Sequence, residues 1–308
     1  MRPKPAARSG HSYRRYRGSR PAPAIIGGEA PATAAGRPAP MDRYVVIGNP
    51  IAHSRSPEIH ARFARETGEA MAYERLLVEP GGFARAAAAF FASGGRGANV
   101  TLPFKEDAFA FAQEHTARAR EAGAVNTLAL RGGAVLGDNT DGAGLVRDLT
   151  ANLGLALAGR RILLLGAGGA ARGVVGPLLA LGPAALVVAN RTPGRAVALA
   201  NAFAAAGPVE GVALDAMGAG YDLVVNATSS STRGEPLALA PATFAPGALA
   251  YDMAYGAAAV PFLEAARRAG ARASDGVGML VEQAAESFFL WRGKRPDTAG
   301  AIAALRAP

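Results

Sequence analysis

At 308 residues, half of them hydrophobic, the chain is long enough for one large or two medium domains with real cores. It has no cysteine, which excludes disulfides, thiolate metal sites and a cysteine nucleophile, and it has no run of about 20 apolar residues that could cross a bilayer as a helix. The net charge of +9 is lopsided: residues 1–40 hold eight basic residues and one acid (Glu29), whereas the rest holds 25 basic and 23 acidic residues, too balanced for a nucleic-acid surface.

Residues 1–40 are rich in Pro, Arg, Ala and Gly without apolar periodicity and read as a disordered basic extension. Such an acid-poor start suits a transit peptide or a polyanion-binding arm. Met41 immediately precedes the first strand, which favours it as the true start. Tyr44–Gly48 is that strand. A helix is expected from Pro57 to Thr67, with Ser56 as its cap and Pro57 in its first turn. Strand Ala72–Val78, helix Phe83–Ala92 and strand Gly97–Thr101 follow. Ala124–Leu130 and Ala134–Leu136 then resemble a hairpin across Arg131-Gly132-Gly133. A helix from about Gly142 to Leu153 leads to strand Arg161–Leu165. Strands alternating with helices predict an α/β protein with mostly parallel sheets in two domains, the boundary lying near that helix.

Only three of the 33 basic residues are lysines: Lys4, Lys105 and Lys294. Arginine serves wherever plain charge is enough, yet an ammonium can give up its proton and a guanidinium cannot. Lys105, in Asn99-Val100-Thr101-Leu102-Pro103-Phe104-Lys105-Glu106, is therefore a candidate acid/base group, against the alternative of a surface lysine. His53 and His60, two of the four histidines, lie seven apart, a spacing that points to no metal site.

Strand Ile162–Leu165 runs into Gly166-Ala167-Gly168-Gly169-Ala170-Ala171, a G-x-G-x-x-A turn opening a helix. Glycines let the backbone approach a pyrophosphate, and a helix N-terminus supplies N–H donors. The next strand, Ala185–Ala189, ends in Asn190-Arg191-Thr192. An NAD site usually places a carboxylate there, but no acid occurs between Asp148 and Glu210. Arg191 and Arg195 can instead grip a 2′-phosphate, which predicts NADP; the alternative is a pair of solvated helix-start arginines. Strand Tyr221–Val225 ends in Asn226-Ala227-Thr228-Ser229-Ser230, placed to line the same crevice. In Gly278–Trp291, residues Leu280, Ala284, Phe288 and Trp291 form an apolar stripe. Glu282 and Glu286 face away from it, and Gln283 lies on its flank, either entering a cleft or at the surface.

Several motifs occur in order: Gly48-Asn49-Pro50-Ile51-Ala52-His53-Ser54-Arg55-Ser56-Pro57, then Asn99–Glu106, Gly123-Ala124-Val125-Asn126-Thr127, and Asp138-Asn139-Thr140-Asp141-Gly142. Asn190-Arg191-Thr192, Tyr251-Asp252-Met253-Ala254-Tyr255 and Asp275-Gly276-Val277-Gly278-Met279-Leu280 follow. Together, over residues 42–300, they closely resemble the shikimate dehydrogenase family. The resemblance implies reversible NADPH-dependent reduction of 3-dehydroshikimate to shikimate by a cytoplasmic enzyme of the route to chorismate and the aromatic amino acids. It implies a substrate-binding domain of residues 41–145 plus 277–308 and a Rossmann domain of residues 146–276, the last helix returning to the first domain. The partner is then the small-molecule substrate alone, without nucleic acid or membrane, in a monomer or homodimer.

Mapped by motif, Ser54 and Ser56 would hold the substrate carboxylate, a role that competes with capping by Ser56. Thr101, Asn126, Tyr255 and Gln283 would complete the substrate contacts. Lys105 and Asp141 would form the catalytic pair, the ammonium stabilising charge that develops on the carbonyl oxygen and donating the proton. Asp141 could instead simply cap its helix. Gly166, Ala167, Gly168, Gly169, Ala170, Asn190, Arg191, Thr192, Arg195, Thr228, Met253 and Gly276 would line NADP. The chain departs from the family in its N-terminal extension, in the loop Ser231-Thr232-Arg233-Gly234 and in the apolar Gly256–Pro261. Two other readings stand beside the first: a relative that prefers quinate or runs catabolically, and a non-catalytic NADP-binding sensor.

Overall fold

Two six-stranded sheets lie in series along the chain. The computed structural model describes residues 41–228, 230, 237 and 239–307; the expectations for residues 1–40 and for Ser231–Gly234 lie outside them. The first sheet holds β1 (Asp42–Gly48), β2 (Met71–Leu77), β3 (Gly95–Val100), β4 (Glu114–His115), β5 (Thr127–Arg131) and β6 (Ala134–Asp138), in the order β2-β1-β3-β5-β6-β4. β1 runs parallel to β2 and β3, while β5 pairs antiparallel with β3 and β6. The expected hairpin is the β5–β6 pair. Gly132 and Gly133 turn it with φ of +56° and +89°, a conformation that a two-residue hairpin loop demands.

Helices cover both faces of this sheet. Val45, Ile47, Val100 and Leu128 meet α2 (Phe83–Ala92), α3 (Lys105–Phe111) and α4 (Ala117–Ala122) in one buried cluster. On the other face Tyr44 meets Ile59 and Phe63 of α1 (Ser56–Thr67) and residues of the two C-terminal helices. The apolar stripe Leu280-Ala284-Phe288-Trp291 packs here, on the long helix that returns to the first sheet. Trp291 Nε1 donates to the Leu128 carbonyl at 3.0 Å, and Gly97 leaves it room: a Cβ there would come within 2.4 Å of that nitrogen.

The second sheet is wholly parallel, with β7 (Arg161–Leu165), β8 (Ala185–Asn190), β9 (Val209–Ala213), β10 (Tyr221–Asn226), β11 (Phe244–Asp252) and β12 (Arg272–Ser274) in the order β12-β11-β10-β7-β8-β9. This is the doubly wound dinucleotide-binding topology, whose chain reversal between β7 and β10 opens a crevice at the strands' carboxyl ends. Its inner strands β7, β8 and β10 carry continuous apolar runs because both faces are covered. Ile162, Leu164 and Val188 face α6 (Gly169–Leu179) and α7 (Pro193–Ala202), and Leu163, Leu165 and Val224 face α8 (Val260–Arg268). Each such fully buried aliphatic side chain contributes about 1.5–3 kcal/mol.

Helix α5 (Asp141–Arg147) joins the two sheets and packs against α6 and against α9 (Val277–Arg292); α10 (Thr298–Arg306) ends the chain on α9. The helix expected from Gly142 to Leu153 is α5 extended by a wider π turn at Asp148–Asn152. Glu282 does point away from the apolar stripe, but it is buried, paired with Arg147 at 2.9 Å and accepting from Asn152 at 3.1 Å. Gly256–Ala258, in the segment that departs from the family pattern, forms a short 3-10 turn. No described helix is long and apolar enough to cross a membrane.

Candidate active site

Lys105 opens α3. The turn before it is closed by the Phe104 N–H donating to the Thr101 carbonyl at 3.0 Å, and the buried Phe104 ring anchors it in the core. The Val125 N–H then donates to the Lys105 carbonyl at 2.9 Å, fixing the backbone from the other side. Lys105 Nζ meets Asp141 Oδ2 at 2.5 Å, with the two side chains only 11% and 7% exposed. Asp141 Oδ1 accepts from Asn126 Nδ2 at 2.8 Å. Lys105 is thus no free surface lysine, and Asp141 is no helix cap: it is the first residue of α5, and its carboxylate is committed to Lys105 and Asn126. A buried pair of this kind holds only when its remaining hydrogen bonds are met, and removal of either partner strands the other charge.

Asn126, at the end of a buried apolar stretch, is the hub of the next layer. Its Oδ1 accepts from the Thr140 N–H at 2.8 Å, and its amide also approaches Gln283 Oε1 at 3.3 Å. Gln283 Nε2 donates to the Leu280 carbonyl at 2.7 Å, which turns the oxygen toward Asn126 and Thr140. The amide on the flank of the stripe is therefore turned inward, toward Asn126 and Thr140. Behind it, Asn99 Nδ2 donates to Ser287 at 2.9 Å and to Thr127 at 3.1 Å, while Tyr73 Oη donates to Asn99 Oδ1 at 2.7 Å. Sequence reasoning did not single out Tyr73, Thr127, Thr140 or Ser287 as site residues. Their signal is polar residues at buried strand and helix positions among apolar neighbours, each of which must find an internal partner.

Ser54 and Ser56 stand together at the start of α1. The expectation that Ser56 caps this helix fails, because Ser56 is its first residue and Arg55 occupies the cap position without a side-chain bond. Instead the Ser56 N–H approaches Ser54 Oγ at 3.3 Å, and the two hydroxyls lie 3.3 Å apart. Arg75 Nε donates to the Ser54 carbonyl at 3.0 Å, holding the turn. Burial pushes the Tyr255 phenol above its ordinary value, and contact with the Arg55 backbone and the charges of Arg55 and Arg75 partly oppose this. Tyr255 packs, partly buried, against the cluster that holds Ile59 and Phe63 of the same helix α1. Thr101 is half-buried opposite Gly48, where a Cβ would come within 2.5 Å of the threonine methyl.

The second part of the site is a cavity of about 280 Å³ at the crevice. Gly166, Ala167, Gly168, Gly169, Ala170, Asn190, Arg191, Thr192, Arg195 and Thr228 all line it. Gly166 turns the chain with φ of +107°, its α-carbon against the backbone of Ala227. Asn226 Oδ1 accepts from the Thr228 N–H at 3.1 Å and hydroxyl at 2.7 Å, which orders the opposite wall. Met253 and Gly276 touch each other just beyond β11, outside the residues lining this cavity. Leu102, from the first sheet's side, Leu214 and Leu237 line it too and had not been anticipated. Leu102 is one of the few large hydrophobic side chains left exposed among the described residues.

These residues fit a phosphorylated dinucleotide. A Cβ on Gly168 would meet nothing within 4 Å, so its open side faces the cavity where backbone must approach a ligand closely. Arg191 and Arg195 are exposed and neither pairs with a carboxylate among the described residues. Fold and site together define a two-domain NADP-dependent oxidoreductase.

Comparison with known proteins agrees along the chain. Residues 46–128 match the shikimate dehydrogenase substrate binding domain, residues 148–234 the shikimate / quinate 5-dehydrogenase family, and residues 276–306 the shikimate 5'-dehydrogenase C-terminal domain. The shikimate dehydrogenase (NADP(+)) of Dechloromonas aromatica (strain RCB) is 59% identical over 268 residues, 86% of this chain and 98% of the relative. That of Alkalilimnicola ehrlichii is 55% identical, covering 86% of this chain and 98% of the relative. The Thermus thermophilus shikimate 5-dehydrogenase, solved with NADP(H) and shikimate, is 34% identical with a TM-score of 0.75, covering 86% of this chain and 99% of that one. The chain belongs to the shikimate dehydrogenase family.

Proposed function

We propose that this protein catalyses the reversible NADPH-dependent reduction of 3-dehydroshikimate to shikimate, with Lys105 and Asp141 handling the proton. The observation that carries the reading is the buried Lys105–Asp141 pair at 2.5 Å, set beside a glycine turn that fits NADP. The names of the close relatives and the Thermus complex with both ligands support the same substrate and cofactor.

Gly166–Ala170 would hold the pyrophosphate on the α6 N-terminus, and Arg191 and Arg195, with Asn190 and Thr192, the 2′-phosphate. Thr228, Met253 and Gly276 would border the rest of the cofactor. When bound, NADPH supplies a hydride. Ser54, Ser56 and Tyr255 would take the substrate carboxylate, and Thr101, Asn126 and Gln283 its hydroxyls. Lys105 Nζ would stabilise charge on the reacting oxygen and give it a proton. Asp141 orients that ammonium and can accept from a neighbouring hydroxyl, while Asn126 orients Asp141. Residues 41–145 with 277–308 form the substrate-binding domain on this reading, and residues 146–276 the Rossmann domain of a cytoplasmic biosynthetic enzyme.

Steady-state turnover with shikimate and with quinate, each with NADP and with NAD, tests this alongside Lys105→Ala. Turnover of shikimate with NADP, lost by at least about 10²-fold in the variant with NADP still bound, is the expected result. Preferred turnover of quinate with NAD would overturn the substrate and cofactor assignment, and NADP binding without turnover of either substrate would make the protein a sensor.

A further inference from the structure

Adjacent glycines at the start of α6 face different things. A Cβ on Gly168 would meet nothing within 4 Å. A Cβ on Gly169 would sit 3.2 Å from Lys105 Cβ, with Lys105 Cδ and Cγ at 3.8 and 3.9 Å. That first distance is tighter than ordinary van der Waals contact, so one of the two must give. Neither glycine has a positive φ, so backbone conformation does not explain Gly169.

Lys105 cannot step aside freely. Its carbonyl accepts from the Val125 N–H at 2.9 Å, the preceding Phe104 is buried, and its ammonium is 2.5 Å from Asp141. One turn further along α6 the relationship recurs. A Cβ on Gly173 would come within 2.8 Å of Asn139 Oδ1, the atom that accepts from the Asp141 N–H at 3.1 Å. Gly142, next to Asp141, lies against the Gly173 carbonyl, where a Cβ would approach to 2.5 Å. Residues i and i+4 share one face of a helix, so one bare face of α6 abuts the backbone supports of both members of the pair.

We infer that Gly169 is a positioning residue for Lys105: its missing side chain lets α6 set the distance between the lysine and Asp141, while Gly168 is the glycine kept bare for the nucleotide. The helix that would receive the cofactor at its N-terminus thus also gauges the lysine–aspartate pair along its flank. The inference rests on the reading of Lys105 as the proton-transfer group.

The test compares Gly169→Ala, Gly168→Ala, Lys105→Ala and the double variant G169A/K105A. The readouts are the NADPH dissociation constant from cofactor fluorescence, kcat at saturating cofactor, and melting temperature. Gly169→Ala is expected to lower kcat at saturating cofactor about 10-fold, since small displacements at a reacting group are costly, and any loss of NADPH affinity, Gly169 being in the cavity wall too, is read separately from it. In the Lys105→Ala background it should cost nothing further in kcat, because the displaced ammonium is already gone. Gly168→Ala should weaken NADPH binding by about 10-fold. Loss of NADPH affinity in Gly169→Ala with kcat unchanged, or an additive loss of kcat in the double variant, would overturn the inference. Near-normal kcat in Lys105→Ala alone would instead remove the reading beneath it, and that outcome is separate from the other two.

Discussion

Tyr251 Oη donates to Asp148 Oδ2 at 2.6 Å, although 103 residues separate them. The contact ties the far end of the α5 segment, whose first residue is Asp141, to β11, the strand next to the edge of the second sheet. Both groups are buried; the same phenol oxygen accepts from the Met279 N–H at 3.3 Å, and Asn152 Nδ2 supplies Asp148 with its other bond at 3.0 Å. Burial, and then the charge of Asp148, push the phenol well above its ordinary value, so it stays a donor. Tyr251→Phe removes that donor from a buried carboxylate. The expected cost is about 1–3 kcal/mol in urea unfolding, with unchanged m.

Asp141→Asn keeps shape but removes the counter-charge of a nearly buried lysine. Turnover should fall by about 10²-fold or more while NADPH still binds. Single-turnover kinetics beside equilibrium binding separates the two effects.

The arginines of the nucleotide crevice should act on phosphate alone. Arg191→Ala and Arg195→Ala are each expected to raise KM for NADP about 10-fold and to leave KM for NAD nearly unchanged. The NADP effect should shrink as salt is raised, because both side chains are exposed.

His60 predicts an acid limb in stability. It is fully buried, stacked on Tyr73 at 4.2 Å between ring centroids, and neither ring nitrogen has a well-formed partner. Burial lowers it from 6.5 to about 3, with nearby Asn99 opposing only weakly. The unfolded chain therefore takes up the proton first. The contribution is whole above pH 6.5 and is lost progressively as pH falls toward 3, with about 2 kcal/mol gone by pH 5. His60→Phe should flatten stability over that window in denaturant titrations at stepped pH; an unchanged slope would exclude His60 as its source.

Much of this was legible in the order of the residues. The apolar runs of β7, β8 and β10, the glycine turn after β7 and the missing acid after β8 are local signals, and each lies where its chemistry requires. Ser56 misled because a serine before a proline looks like a cap, whereas the Ser54 hydroxyl takes the Ser56 N–H. The short elements β4 and α4 were passed over because neither is long enough to show a period. Asn126 and Gln283, 157 residues apart, meet only through the return of α9 to the first sheet, a pairing that periodicity cannot express. Motif order supplied those two residues; the polar shell of Tyr73, Asn99 and Ser287 behind them emerged only from packing.

The sparing use of lysine makes the chain nearly silent to amine chemistry. Across the whole nucleotide sheet, residues 161–274, there is no ε-amine to acylate. In the described residues only two remain: Lys294, half exposed and bound to Glu69 at 2.6 Å, and Lys105, 11% exposed in the cleft. Among the described residues a reagent selective for amines would therefore mark two positions, Lys294 reporting exposure to solvent and Lys105 reporting access to the site.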